Sequence, residues 1–193
     1  MGGNLLNPTR MDLGLRTFWR GDTLCEHMKT LIRFSIFGLL FGITLAGQAA
    51  GFTVEETKAG VTVKYNGKLF TRYVIGQSNK PFLWPVIGPG GAEMTRAYPM
   101  REAGPDERAD HVHHRSFWFT HGDVNGIDFW SESKGHGNIV HREFVKVSGG
   151  KTATIITRND WMGPDGKKIC EDERHLTFGT GKHSCWFNFD GLL

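Results

Sequence analysis

The residues most able to do chemistry are histidines that lie close together in the sequence. Six of the nine histidines fall within one segment, and they are His111, His113, His114, His121, His136 and His141. Imidazole titrates near neutral pH and can exchange a proton with a hydroxyl within hydrogen-bond reach. The segment therefore predicts an acid/base site, for which the candidate catalytic residues are His111, His113, His114, Arg115 and His121.

The arrangement expected of these imidazoles follows from strand geometry. In an extended segment His111 and His113 point to one side and His114 points to the other, so a strand would present two imidazoles to a common centre. Arg115 or Arg96 would fix a carboxylate or polarise a developing oxyanion. A single histidine more often lines a surface loop or bridges backbone carbonyls, so the functional interpretation rests on the cluster as a whole.

The same segment supports a metal site as an alternative. His111, His113 and His121 with a carboxylate from Asp110 or Asp123 would suit zinc, copper or iron, the metals that neutral imidazole binds. The spacing matches no strong metal motif. Metal binding and metal-free acid/base chemistry therefore both remain open.

The composition indicates which kind of fold holds these residues. Glycine is abundant, with 26 residues, and aromatic residues make up 12%, which favours short strands and tight turns. Residues 61–65 alternate with period two, and Asn66-Gly67 predicts a hairpin in which Val63 lies opposite Phe70. No convincing helix follows Ala50. The sequence predicts an all-β fold, an antiparallel β-sandwich or an incomplete supersandwich.

Further turns and strands are expected along the chain. Ser148-Gly149-Gly150 predicts a second hairpin, residues 164–166 predict a turn, and the tail predicts a terminal edge strand. Residues 80–110 hold five of the seven prolines and show no steady period, so we expect ordered loops there. Loops of this kind often carry function.

The N-terminal region has the pattern of a signal peptide. Lys29 and Arg33 precede the apolar residues 34–46, and small residues follow up to Ala49. We expect 1–27 to be an upstream extension, 28–49 to be a cleaved signal peptide, and 50–193 to be a periplasmic or extracellular domain. Cys170 and Cys185 would then lie in an oxidising compartment, where a disulfide between them and two free thiols are equally expected alternatives.

The charge of the chain bears on its partners. Of the net charge of +3, residues 1–49 carry five cations and three anions, which leaves +1 for the exported domain. Because the domain lacks a Lys/Arg stripe, nucleic acid is not an expected partner. No membrane span is expected after signal cleavage.

Aromatic side chains close to the histidines have two interpretations. An exposed indole makes a platform for the apolar face of a sugar ring, whereas a buried indole fills core volume. Core packing is the expectation for Phe129, Trp118 and Trp161, and it is narrowly preferred for Trp130.

Several stretches resemble a bacterial family catalogued as "methane oxygenase PmoA", a secreted β-sandwich family of unknown function. The carriers are KPFLWPVIGPGGAEMTRAYP, DHVHHRSFWFTHGDVNGIDFW and GNIVHREF, within residues 61–178. The tail does not follow the expected continuation, so the resemblance implies a truncated member, and it associates the chain with carbohydrate breakdown. Besides Asp110 and the catalytic candidates, it implies substrate-binding roles for Arg96, Asn125, Asp128, Trp130 and His141.

Three functions follow from these patterns. The first is an exported enzyme that acts on a carbohydrate or glycoside through the histidine-rich site. The second is a non-catalytic carbohydrate- or surface-binding module, favoured by the six tryptophans. The third is a metal-dependent oxygenase or oxidase. No segment after Ala50 is predicted to span a bilayer, so a membrane-spanning subunit of such an enzyme is not expected.

Overall fold

The fold consists of two antiparallel sheets. The computed structural model describes residues 50–193, and no helix occurs among them. The first sheet has the order β1-β2-β3-β4-β5 and the second has the order β6-β7-β8-β9. The strands are β1 (Phe52–Thr57), β2 (Gly60–Tyr65), β3 (Lys68–Val74), β4 (Phe82–Val86), β5 (Phe117–Trp118), β6 (Asn138–Ser148), β7 (Ala153–Met162), β8 (Lys168–Thr180) and β9 (Cys185–Leu192). The predicted all-β fold is confirmed, whereas the predicted signal peptide lies outside the described residues.

The hairpin between β2 and β3 forms where the turn residues predict it. Asn66 and Gly67 both have positive φ, as a type I′ turn requires. The predicted pairing of Val63 with Phe70 is wrong, because a bulge between Val63 and Lys64 places Val63 opposite Thr71. Val63 and Phe70 are nevertheless both buried in the same core, so the bulge changes their register and not their environment.

The expectation of loops throughout residues 80–110 is wrong for its first part. Strand β4 occupies Phe82–Val86 and contains Pro85, and a proline within a run of residues argues against assigning a strand from the sequence. The pairing of β4 with β3 shifts register between Thr71 and Tyr73, and this irregularity accommodates the proline. The rest of the segment forms bends and turns, as expected.

The second sheet follows the predicted hairpins closely. Val147 pairs with Ile155 across the predicted turn, and Gly163 bonds to Lys167 across the turn at residues 164–166. The tail forms the edge strand β9, which pairs with β8 along its length. Cys170 and Cys185 are free thiols. Cys170 lies near the start of β8, whereas Cys185 pairs with Thr180 at the end of β8, so the two are far apart along this strand.

The two sheets pack face to face over one main hydrophobic core. Val63 and Phe70 of the first sheet meet Ile155 and Phe178 of the second within this core. A smaller cluster forms from Phe129, Ile139 and Trp161, and each of them is at most 3% exposed. Phe129 and Trp161 therefore take the core positions that their sequence context predicts. The second cluster lies beneath the loops that carry the histidines.

No helix in residues 50–193 is long and apolar enough to cross a membrane.

A buried ion pair lies between the sheets. Arg174 and Asp172 are each about 1% exposed in their side chains, and the guanidinium donates two hydrogen bonds to the carboxylate. The indole of Trp161 donates to the same carboxylate at 2.7 Å. The guanidinium lies 5.4 Å from the ring centroid of Phe119, a residue that follows β5. A polar group from the second sheet is therefore packed against the connection that carries the site.

We expect Asp172→Ala to lower the free energy of unfolding by about 3 to 5 kcal/mol, because it leaves the Arg174 charge buried without its partner. Urea unfolding would measure the loss. Glu171→Ala is the matched control, since the neighbouring Glu171 bonds to Arg142 and Lys168 at the surface and should cost at most about 1 kcal/mol. Equal losses in the two variants would contradict the role of the buried pair.

Candidate functional site

The histidine tetrapeptide forms a turn and not a strand, which corrects the expected alternation of its side chains. His111 has a positive φ of 49°, and the backbone N–H of His114 donates to the carbonyl of His111 at 2.9 Å. Because the chain reverses here, all three imidazoles come together. The ring centroids of His111 and His114 are 5.1 Å apart, and those of His113 and His114 are 4.5 Å apart.

Two indoles adjoin these imidazoles. The ring centroids of Trp118 and Trp130 lie 4.5 Å apart at an angle of 73°. His114 lies 5.6 Å from Trp118 and 5.9 Å from Trp130. Trp130 is 41% exposed, so the expectation that it fills the core is wrong and its ring is accessible to a ligand. We call these five residues the imidazole–indole cluster: His111, His113, His114, Trp118 and Trp130.

The neighbouring carboxylate orients one imidazole. Asp110 Oδ2 lies 3.2 Å from Nδ1 of His111, and the hydrogen bond to His111 lowers the pKa of Asp110. With a proton on Nδ1, Nε2 of His111 is left with a free lone pair, as a general base requires. Arg96 donates to the carbonyls of Arg108 and Asp110 at 2.8 Å, so it positions the segment that enters the turn.

Burial tunes the other two imidazoles. It lowers the pKa of His113, with further lowering by the charge of His114, and it likewise lowers the pKa of His114. Both rings therefore favour the neutral form, in which one nitrogen donates a hydrogen bond and the other accepts one.

Lys80 lies under the cluster and was not among the predicted site residues. It is 1% exposed, and its ammonium donates to Asn79 Oδ1 and to the Trp130 carbonyl, both at 2.8 Å. The ammonium lies 4.9 Å from the ring centroid of Trp118. Burial lowers the pKa of Lys80 to about 8. A lysine at the end of a loop carries no local sign of burial, so the sequence could not indicate this contact.

Arg115 is brought to the cluster but is already engaged. Its Nε and Nη2 donate to the two carboxylate oxygens of Glu132 at 2.8 and 2.9 Å. These hydrogen bonds lower the pKa of Glu132, and Ser78 adds a third. The catalytic role of Arg115 stays a prediction, and in this geometry its guanidinium forms a two-pronged ion pair beside the imidazoles.

The other predicted residues lie around the cluster. Asp128 accepts from the backbone N–H groups of Trp130 and Ser131, so it shapes the Trp130 loop. Asn125 is exposed at the tip of a tight turn. The Nδ1 of His121 bonds to the backbone of Asp123. His141 lies on β6 and bonds to Thr157 there.

The metal interpretation stays a prediction. Among residues 50–193, no group of three or more His, Cys, Asp or Glu side chains is arranged to hold a metal ion. His111 and His113 adjoin one another, with ring centroids 5.7 Å apart, while His121 turns to its own loop. Of the three predicted metal ligands, the structure thus brings His111 and His113 together and leaves His121 apart.

Comparison with protein families places the chain. A model of the family of unknown function DUF6807 matches residues 60–191, which is more than half of the chain and includes the whole imidazole–indole cluster. The chain belongs to this family of unknown function. The match also includes most of β9, the tail for which we expected a departure. No curated protein and no solved structure matches the chain.

The family assignment is coarser than the resemblance noted in the sequence. It supports a shared family of unknown function, and the methane oxygenase label gains no support from it. Truncation likewise stays a prediction. What the chain does must therefore be argued from the geometry of its own residues.

We expect Lys80→Met to change how stability depends on pH. Because burial lowers the pKa of Lys80 from 10.5 to about 8, the folded protein releases between these values a proton that the unfolded chain retains. The free energy of unfolding of the wild type should therefore rise relative to that of Lys80→Met as the pH increases from about 8 towards 10.5.

Urea unfolding at several pH values on both sides of about 8 would measure this difference. Lys134→Met, which removes an exposed lysine, is the control. Parallel pH profiles for the wild type and Lys80→Met would show that Lys80 keeps its proton over this range and would contradict the prediction.

Proposed function

We propose that this member of the family is an exported protein that acts on a carbohydrate by acid/base chemistry at the imidazole–indole cluster. The observation that carries the proposal is the contact of His113 and His114 with the exposed indole of Trp130, together with the adjoining His111, which Asp110 orients. Export rests on the signal-peptide pattern of residues 28–49.

The imidazoles supply the two halves of a proton transfer. His111, with Asp110 at its Nδ1, is suited to accept a proton from a substrate hydroxyl. His113 or His114 lies close enough to act as the acid: its protonated form, a stronger acid because of the lowered pKa, donates its proton to the oxygen that receives negative charge and becomes the neutral imidazole. Acid and base therefore face one small region of the surface, as a reaction at a sugar hydroxyl or a glycosidic oxygen needs.

The indoles supply the affinity for a sugar ring. Trp130 is 41% exposed, and its ring packs at 73° to the ring of Trp118. An indole stacks on the apolar C–H face of a pyranose while the ring hydroxyls reach polar neighbours. Here those neighbours are the imidazoles of His113 and His114.

The second candidate is a carbohydrate-binding module without catalysis. The exposure of Trp130 favours it specifically, because a platform for a sugar ring does not itself require chemistry. The two candidates differ in one measurable respect. An enzyme would turn over a bound sugar, and a module would bind the sugar and release it unchanged.

We expect His111→Ala and His113→Ala to lower turnover at least about 100-fold, the usual contribution of a general acid or base. A panel of aryl glycosides and oxidised sugars would provide the substrates. His183→Ala, in the exposed turn between β8 and β9, should leave turnover unchanged. Sugar binding that is lost in Trp130→Ala, with no turnover in the wild type, would support the binding module instead.

A chelator separates this proposal from metal-dependent oxidation. Because the proposed proton transfers use only protein groups, we expect turnover to survive prolonged treatment with EDTA followed by dialysis. Metal analysis of the purified protein and of His113→Ala should then give the same result. Turnover that disappears with EDTA and returns with zinc, copper or iron would favour the metal site.

A further inference from the structure

A concave surface near the cluster has no role in the chemistry proposed above. It is a cleft of about 280 Å³ between the end of β3 and the start of β6, and we call it the His141 cleft. Its volume is near the lower limit of ligand pockets, which begin at about 300 Å³. Its apolar wall includes Ile75 and Ile139, and its polar lining comes from Lys58, Ser78, Asn138 and His141.

The strand is locally distorted in a way that turns His141 towards this cleft. A bulge lies between His141 and Glu143, so that Arg142 and Glu143 are both exposed while His141 and Phe144 are both partly buried. The ring centroids of His141 and Phe144 are 4.1 Å apart. Two neighbours therefore fix the imidazole: Phe144 supports its face, and Thr157 holds Nδ1 at 2.9 Å.

With Nδ1 engaged, Nε2 of His141 is the nitrogen left to a ligand. Burial lowers the pKa of His141, although Glu56 and Glu143 act in the opposite direction. The imidazole thus offers a neutral donor or acceptor. Asn138 and Ser78 add an amide and a hydroxyl to the same cleft.

One carboxylate joins the His141 cleft to the imidazole–indole cluster. Ser78 lines the cleft, and its hydroxyl donates to Glu132 Oε1 at 3.0 Å. Glu132 in turn holds Arg115, the residue directly after His114. A residue of the cleft, Ser78, is therefore joined to the turn of the cluster through one ion pair.

We propose that the His141 cleft is a second binding site, which takes an uncharged, hydroxyl-rich unit from the same ligand that occupies the imidazole–indole cluster. On the proposed function, on which this inference rests, that unit is a neighbouring sugar ring of an oligosaccharide. The amide of Asn138, the hydroxyl of Ser78, the imidazole of His141 and the ammonium of Lys58 suit hydroxyl groups, which both donate and accept.

The charges around the cleft favour an uncharged unit over an anion. Lys58 is the cation of the lining, and it is exposed in the turn between β1 and β2. Glu56 and Glu143 are close enough to act on His141 electrostatically. An anion in the cleft would meet these two carboxylates, whereas a neutral ring would not.

Calorimetry with matched sugars tests the inference. The full chain would be titrated with methyl β-glucoside, methyl β-xyloside and methyl β-galactoside, and with cellobiose, xylobiose and lactose. We expect a disaccharide to bind roughly tenfold more tightly than its methyl glycoside, because its second ring gains hydrogen bonds in the cleft. His141→Ala and Lys58→Met should remove that ratio, and His183→Ala should keep it.

Lys58→Met keeps the test valid if His141→Ala does not fold, since the exposed Lys58 lies outside β6. An unchanged ratio in both variants would overturn the second site. Trp130→Ala then tests the proposed function separately, because it should weaken methyl glycosides and disaccharides alike. If Trp130→Ala has no effect while His141→Ala removes the ratio, the cleft binds sugar without the cluster. That result overturns both the proposed function and the proposal that one ligand occupies the two surfaces. If no sugar binds the wild type, both proposals are overturned.

Discussion

The hydrogen bonds that Asn79 and Lys80 make to loop carbonyls are the interactions on which the site depends. The Asn79 amide donates to the carbonyls of Ser131, Phe129 and Gly137, and its own backbone carbonyl accepts from Ile139 at the start of β6. Lys80 adds a bond to the carbonyl of Trp130. A loop this irregular would otherwise leave its buried carbonyls unsatisfied, so two adjacent side chains do for it what a strand partner does in a sheet.

The same loop is anchored from below by the core. Phe129 is fully buried, and its ring centroid lies 4.9 Å from that of Trp161. The indole nitrogen of Trp161 donates to Asp172, which also holds Arg174. Trp130 is therefore exposed directly after Phe129, a residue whose movement would disturb Trp161 and the buried ion pair. This arrangement presents an aromatic surface to solvent with little conformational freedom to lose on binding.

How far the sequence predicts this structure depends on whether the signal is local. Asn66-Gly67 forms its hairpin because those residues tolerate positive φ, and no distant contact is needed. The clustering of histidines was visible in the same way, but the turn at His111 was not, since a positive φ is uncommon outside glycine. The burial of Lys80 and the strand at Pro85 could not be predicted from the sequence for a different reason. Their environments are set by residues far along the chain, such as Trp118 and Trp130 around Lys80.

The segment of Ser78, Asn79 and Lys80 contacts both the His141 cleft and the imidazole–indole cluster. Ser78 faces the His141 cleft, while Lys80 supports the indoles of the imidazole–indole cluster. Because hydrogen bonds from Ser78, Asn79 and Lys80 hold this segment against residues 129–137, the distance between the two surfaces is set by the fold. A ligand with two units at that spacing would gain from the second contact without a further loss of translational freedom. A preference for ligands of one length would then depend on the segment of residues 78–80, because this segment fixes the spacing and neither surface alone could distinguish ligands by length.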